Sequence, residues 1–119
     1  MVLVRLSLWC FKEGKREEAF LGLDHILNTT TRNSEGFRGY MSLLSYEDPN
    51  SATILTLWQD EKSLKASEKE VFAQAIEKVK DSIEKPPALQ NLSIFSSVFP
   101  IEGEIRSLGE TPKFVFLKK

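Results

Sequence analysis

The chain has 119 residues, 41% of them hydrophobic and 28% charged, the proportions of one soluble globular domain with enough chain to bury a core. A formal net charge of -1 argues against nucleic acid or an anionic membrane as partner, because such binders carry a basic stripe. The single cysteine, Cys10, rules out an intrachain disulfide or a thiolate metal cluster, and no apolar run nears the roughly 20 residues of a membrane span, so a cytoplasmic home is expected.

Residues 2–11 (VLVRLSLWCF) are rich in β-branched and large apolar side chains and read as a strand. Alternation splits them into a uniformly apolar face (Val2, Val4, Leu6, Leu8, Cys10), expected to be the dry one, and a mixed face (Leu3, Arg5, Ser7, Trp9, Phe11). Residues 14–32 follow as an amphipathic helix, with Glu17 and Glu18 at its positive end and Ala19, Phe20, Leu23, Ile26, Leu27 and Thr30 on one stripe. Asn28 and three threonines weaken its end, and residues 33–36 (NSEG) supply the stop.

Residues 36–47 and 51–59 read as two strands joined by an Asp48-Pro49-Asn50 turn. Asp60 is a candidate N-cap for a short turn through Leu64, and Ser67-Glu68-Lys69-Glu70 reads as a capping box that starts a second helix. Val71, Phe72, Ala75, Ile76, Val79 and Ile83 form that helix's apolar stripe, and Pro86-Pro87 ends it. A fourth strand is expected near residues 91–99, and a last short one at residues 113–117. The chain therefore divides into a domain of residues 1–100 and an extension of residues 101–119.

The order β-α-β-β-α-β predicts an α+β, ferredoxin-like fold in which two helices cover one face of an antiparallel sheet. The other face stays bare and carries apolar residues on at least the first strand. Soluble monomers rarely expose so large a patch, so a homodimer through the uncovered sheet face is expected.

Several pieces in this order carry a family resemblance: Lys12-Glu13-Gly14-Lys15 after the first strand, then Glu35-Gly36-Phe37-Arg38-Gly39-Tyr40, the Asp48-Pro49 turn, and Leu57-Trp58-Gln59-Asp60-Glu61-Lys62-Ser63-Leu64. Over residues 1–99 the chain resembles the antibiotic biosynthesis monooxygenase superfamily, whose members are dimeric α+β barrels. The resemblance implies a small-molecule pocket between helices and sheet and, in one branch, oxygenation of an aromatic substrate without metal or flavin, so no cofactor is expected. The haem-degrading branch is disfavoured, because its Asn, Trp and His positions fall on Ser7, Ser67 and either Ile76 or Glu77. In the quinone-forming branch the tryptophan matches Trp58, but the partner Asn falls on Ile54, which cannot hydrogen-bond a phenolate.

The pocket candidates are Trp58, Trp9, Ser7, Arg5 and Tyr40. Trp58 either packs under the second helix or presents its N–H to a cleft, and Trp9 and Ser7 join it only if the mixed face is the helix-covered one. Arg5 inside an apolar strand needs an acid, an anionic ligand or the solvent edge. Arg38 is a further hydrogen-bond donor to weigh. His25, the only histidine, sits opposite the apolar stripe and reads as a surface residue, and Cys10 reads as a small buried hydrophobe without a base to activate it. Two readings stay open: a cofactor-independent oxygenase acting on a small aromatic or apolar metabolite, and a non-catalytic dimeric binding or assembly module.

Overall fold

The computed structural model describes residues 2–96. Four strands, β1 (Leu3–Cys10), β2 (Phe37–Leu44), β3 (Ser51–Trp58) and β4 (Ala88–Ser93), form one sheet in the order β2-β3-β1-β4, with every neighbouring pair antiparallel. Two helical rods pack on it. The first is α1 (Arg16–Ile26) extended by a π-turn, Leu27–Thr31; the second runs through α2 (Glu61–Ser67), a π-turn at Glu68–Phe72, and α3 (Ala73–Val79). This is the expected ferredoxin-like βαββαβ arrangement. Among the described residues no helix is long and apolar enough to cross a membrane.

Each face of the sheet is set by strand alternation. Trp9 pairs with Ala52, Ser7 with Ile54 and Arg5 with Thr56, and all six side chains are buried beneath the helices. The mixed face is therefore the covered one, and the face expected to be dry is the one left open. There Val4, Leu6 and Leu8 align with Leu57, Leu55 and Thr53 of β3, which align in turn with Gly39, Met41 and Leu43 of β2. Leu8 is 45% exposed and Leu92 42%. Cys10 on this side is half-buried rather than fully buried, because no described element lies over the open face.

Local irregularities have identifiable causes. Between Phe37 and Gly39 the β2–β3 register slips by one residue, so Arg38 bulges out and Phe37 returns to the covered face, edge-on to Trp58 at 5.6 Å. Gly36 takes a φ of +80°, and a Cβ there would stand 2.5 Å from Ser63 Cβ. Only glycine lets the start of β2 pass so close under α2. At the other end of the hairpin, Asp48 accepts from Asn50 N at 2.9 Å and Ser51 Oγ at 2.6 Å, and one guanidinium nitrogen of Arg16 reaches the carbonyls of Ser45, Asp48 and Ser51. The start of α1 is thereby tied to the turn.

The second rod departs from the expected boundaries. Asp60 caps it as anticipated, accepting from Ser63 N at 2.8 Å, but the helix does not restart at Ser67. Ser67 Oγ instead donates to Leu64 O at 2.6 Å, and the chain continues in helical geometry through Glu68. β4 begins at Ala88, directly after the proline pair, and ends at Ser93, earlier than the span predicted from its apolar residues. Part of that predicted strand, the strand at residues 113–117 and the extension of residues 101–119 lie outside the described residues.

Candidate functional site

A cavity of about 50 Å³ lies between the covered sheet face and both helical rods. β1 contributes Arg5, Ser7 and Trp9, and β3 contributes Ile54, Thr56 and Trp58. The rods close it with Leu23, Leu27 and Thr31 on one side and Ser67, Val71 and Phe72 on the other. Its surface is mostly apolar. Four of the five predicted pocket residues thus converge, and Trp58, only 1% exposed, is both core and wall.

Tyr40 is not among the lining residues. Its phenol turns instead to Asp24 on α1, and burial together with that carboxylate pushes its pKa up to about 12. Arg38 lies on the exposed bulge and bonds Gln59 Oε1 at 3.0 Å, and His25 is exposed on α1.

The two tryptophans are held by one repeated device. Trp9 Nε1 donates to Ser7 Oγ at 2.8 Å, and Trp58 Nε1 donates to Thr56 Oγ1 at 2.9 Å. Residues two apart on a strand share a face, so Ser7-Leu8-Trp9 and Thr56-Leu57-Trp58 each pair an indole with its own hydroxyl. Both N–H groups are satisfied without a ligand, and the indoles present ring surface to the cavity.

Arg5 is 5% exposed and reaches from β1 into the second rod. It donates to Ser67 Oγ at 2.7 Å, to Leu64 O at 2.8 Å, to Glu68 Oε1 at 2.7 Å and, at 3.4 Å, to Asn91 Oδ1. Burial lowers its pKa below the ordinary guanidinium value, and Glu68 opposes that shift. The acid that the sequence left unnamed is Glu68, so Arg5 braces the helix and is not free to hold an anion.

Both rods carry a π-turn where they border the cavity, a wider turn that recurs at functional sites. In the first, Arg32 N donates five residues back, to Leu27 O at 3.0 Å. Thr29 Oγ1 bonds His25 O, Asn33 Nδ2 bonds Thr29 O and Ser34 Oγ bonds Thr30 O, and such side-chain bonds compete with regular helix closure. In the second rod, Leu64 O accepts from Arg5 and Ser67 while Glu68 N turns to Lys65 O. The extra residue in the first rod has a direct consequence. A regular helical period places Thr30 inside, whereas the structure exposes Thr30 and buries Thr31, 1% exposed and with no hydroxyl partner among the described residues. Thr31 and Thr56 were missed as cavity residues. Thr56 was detectable from its alternation with Trp58, but Thr31 was not, because the period changes within the helix.

The family model for antibiotic biosynthesis monooxygenase matches residues 1–79. The chain belongs to this family. Among solved structures, proteins of Bordetella bronchiseptica and Nitrosomonas europaea that are named for the same family superpose with a TM-score of 0.69 each, at 13% and 17% identity. The matches cover 80% and 79% of this chain and 98% and 90% of theirs. A conserved protein of Methanosarcina mazei superposes with a TM-score of 0.66 at 20% identity, over 76% of this chain and 90% of that one. At such identities these solved structures establish the shared fold alone. No protein of curated function matches the sequence.

Proposed function

We propose that this antibiotic biosynthesis monooxygenase family member is a cytoplasmic homodimer that binds a small, largely apolar metabolite between sheet and helices. The observation that carries the reading is the cavity itself, walled by two indoles whose N–H groups are already bonded and by the π-turns of both rods. The open sheet face, with Leu6, Leu8, Leu55, Leu57, Met41 and Leu43, is the surface on which a second copy seats, since it offers apolar area and no buried charge to pair. The cytoplasmic setting rests on the free thiol of Cys10.

Size limits the ligand. A cavity of about 50 Å³ is a fraction of the roughly 150 Å³ that admits benzene in an engineered core, so a ring enters only as the π-turn walls move apart. The reading is tested by thermal denaturation of the pure protein with a panel of small aromatics at rising concentration, alongside light scattering at micromolar protein. Saturable stabilisation with a dimeric mass supports it. A monomeric mass removes the dimer, and no stabilisation by any panel member removes the binding role.

Family membership favours a second reading, cofactor-independent oxygenation. A ring methylene or phenolic C–H carbon oxidised to a carbonyl by O₂ retains one oxygen atom and releases the other as water, so it balances without an added reductant. Among the described residues that line the cavity, Arg5 is the only ionisable side chain, and Glu68 neutralises it. The proton must therefore leave an already acidic substrate, because no lining group acts as a base. Oxygen uptake with hydroquinones and phenols, abolished in Trp58→Phe, supports this reading; ligand stabilisation without uptake leaves binding as the function.

A further inference from the structure

Among the described residues, four that line the cavity carry a hydroxyl, and three of those hydroxyls are bonded. Ser7 accepts from Trp9 and donates to Ile54 O at 3.4 Å, Thr56 accepts from Trp58, and Ser67 accepts from Arg5 and donates to Leu64 O. Thr31 Oγ1 is buried and has no partner among the described residues. Leu27 O, the carbonyl one turn back that a helical threonine can reach, accepts from Arg32 N at 3.0 Å and receives no bond from Thr31. A buried unsatisfied hydroxyl is destabilising and is rare in folded proteins.

The cation at the cavity, Arg5, is compensated by Glu68 at 2.7 Å, so a buried anion would enter without a free counter-charge and against a carboxylate already in place. The other described lining residues offer ring faces, aliphatic groups and hydroxyls.

We propose that Thr31 is the ligand-anchoring hydroxyl of this pocket, and that the ligand is an uncharged molecule with an apolar body and a single hydroxyl or carbonyl oxygen. This rests on the binding role proposed above and adds the anchoring residue and the ligand's charge. The Thr31 hydroxyl donates to that oxygen or accepts from its proton, and the indole faces of Trp9 and Trp58 pack the body. The cost of the orphaned hydroxyl in the free protein is recovered when the ligand binds.

Thr31→Val removes the hydroxyl and keeps the shape, and Thr31→Ser keeps the hydroxyl. Calorimetric titration with phenol, toluene and benzoate separates the outcomes. The expected result is that Thr31→Val weakens phenol binding roughly five- to tenfold, the size of one neutral hydrogen bond, leaves toluene unchanged, and is reversed in Thr31→Ser. Benzoate binds neither form. Without ligand, Thr31→Val should melt at or above the wild-type temperature, whereas a hydroxyl with a hidden structural bond would make it melt lower and overturn the proposal. Unchanged phenol affinity, or equal losses for phenol and toluene, also overturns it while the binding role survives through toluene. Benzoate binding more tightly than phenol overturns the uncharged class. If neither phenol nor toluene binds the wild-type protein, the binding role falls and the anchoring role falls with it.

Discussion

The two faces of the sheet reverse the simple expectation that the more apolar side of a strand is the buried one. Under the helices lie Arg5, Ser7, Thr56 and the two tryptophans, all buried, while Leu6, Leu8, Leu55 and Leu57 face outward on the side that no described element covers. Polar groups are tolerated inside because they satisfy one another: four acceptors surround Arg5, and each indole has its own hydroxyl. A face with internal polar partners can close over a cavity. A face of leucines has no polar group to satisfy and can close only on another apolar surface, which makes it suited to a second copy.

The largest test of this contrast strikes the covered face. Arg5→Ala strips the partner from Glu68 and Ser67 and opens a void, and it should cost about 3 kcal/mol, at the low end for a broken buried pair, because Glu68 is 42% exposed and rehydrates. Urea denaturation at fixed protein concentration reads the loss. A cost below about 0.5 kcal/mol, typical of a surface change, would show that Arg5 is not the brace described.

Striking the open face should leave the protomer folded but separate the copies of the proposed dimer. Leu55→Asp places a carboxylate opposite Leu6 of β1 and Met41 of β2, on a surface that is half-exposed in the protomer. The dimer dissociation constant should rise about 100-fold, or about 2.7 kcal/mol, with the circular dichroism spectrum preserved. An unchanged mass by light scattering across dilution would move the interface elsewhere.

A smaller effect is expected where the faces are set, at the start of β2. Gly36→Ala forces a side chain onto a φ of +80° and against Ser63, costing about 2 kcal/mol. Ser63→Gly in the same chain should restore part of the loss by removing the steric share, leaving the backbone share. If the double variant is no more stable than Gly36→Ala alone, close packing under α2 is not what requires the glycine.

Much of this contrast was legible in the sequence. The period-two split of residues 2–11 separated the two faces correctly, and the strict alternation of β3, with Ala52, Ile54, Thr56 and Trp58 all buried, follows from the same rule. Which face the helices would cover was not legible, because that depends on whether Arg5 finds an acid, and Glu68 lies 63 residues away on another element. The π-turns escaped for a related reason. A fixed helical period has no term for the extra residue at Leu27–Thr31, so Thr30 read as the inward residue, and the Ser67-Glu68-Lys69-Glu70 spacing read as a helix start because it does not show Ser67 and Arg5 drawing on one carbonyl. Ile54 was legible as the loss of a polar partner beside Trp58, and Thr56 on the same strand accepts the indole N–H.

The smallest predicted effect concerns Tyr40, which shares the covered face but stands outside the cavity. Burial, and then Asp24, raise its phenol from the ordinary 10 to about 12, so the folded chain holds that proton more tightly than the unfolded chain does. The resulting stabilisation is present in full below pH 10 and disappears as pH rises from 10 to 12. Its size is modest, because the phenol is only partly buried and solvent screens the charge that forms. Thermal denaturation of the wild-type protein and Tyr40→Phe should therefore show a stability difference that shrinks across this interval. Asp24 also accepts from Ser42 Oγ at 3.1 Å, so the carboxylate keeps a partner in the variant and the comparison isolates the phenol's proton. A gap that stayed constant through pH 12 would mean that the phenol is as free to ionise in the folded chain as in the unfolded one, and that the covered face ends before Tyr40.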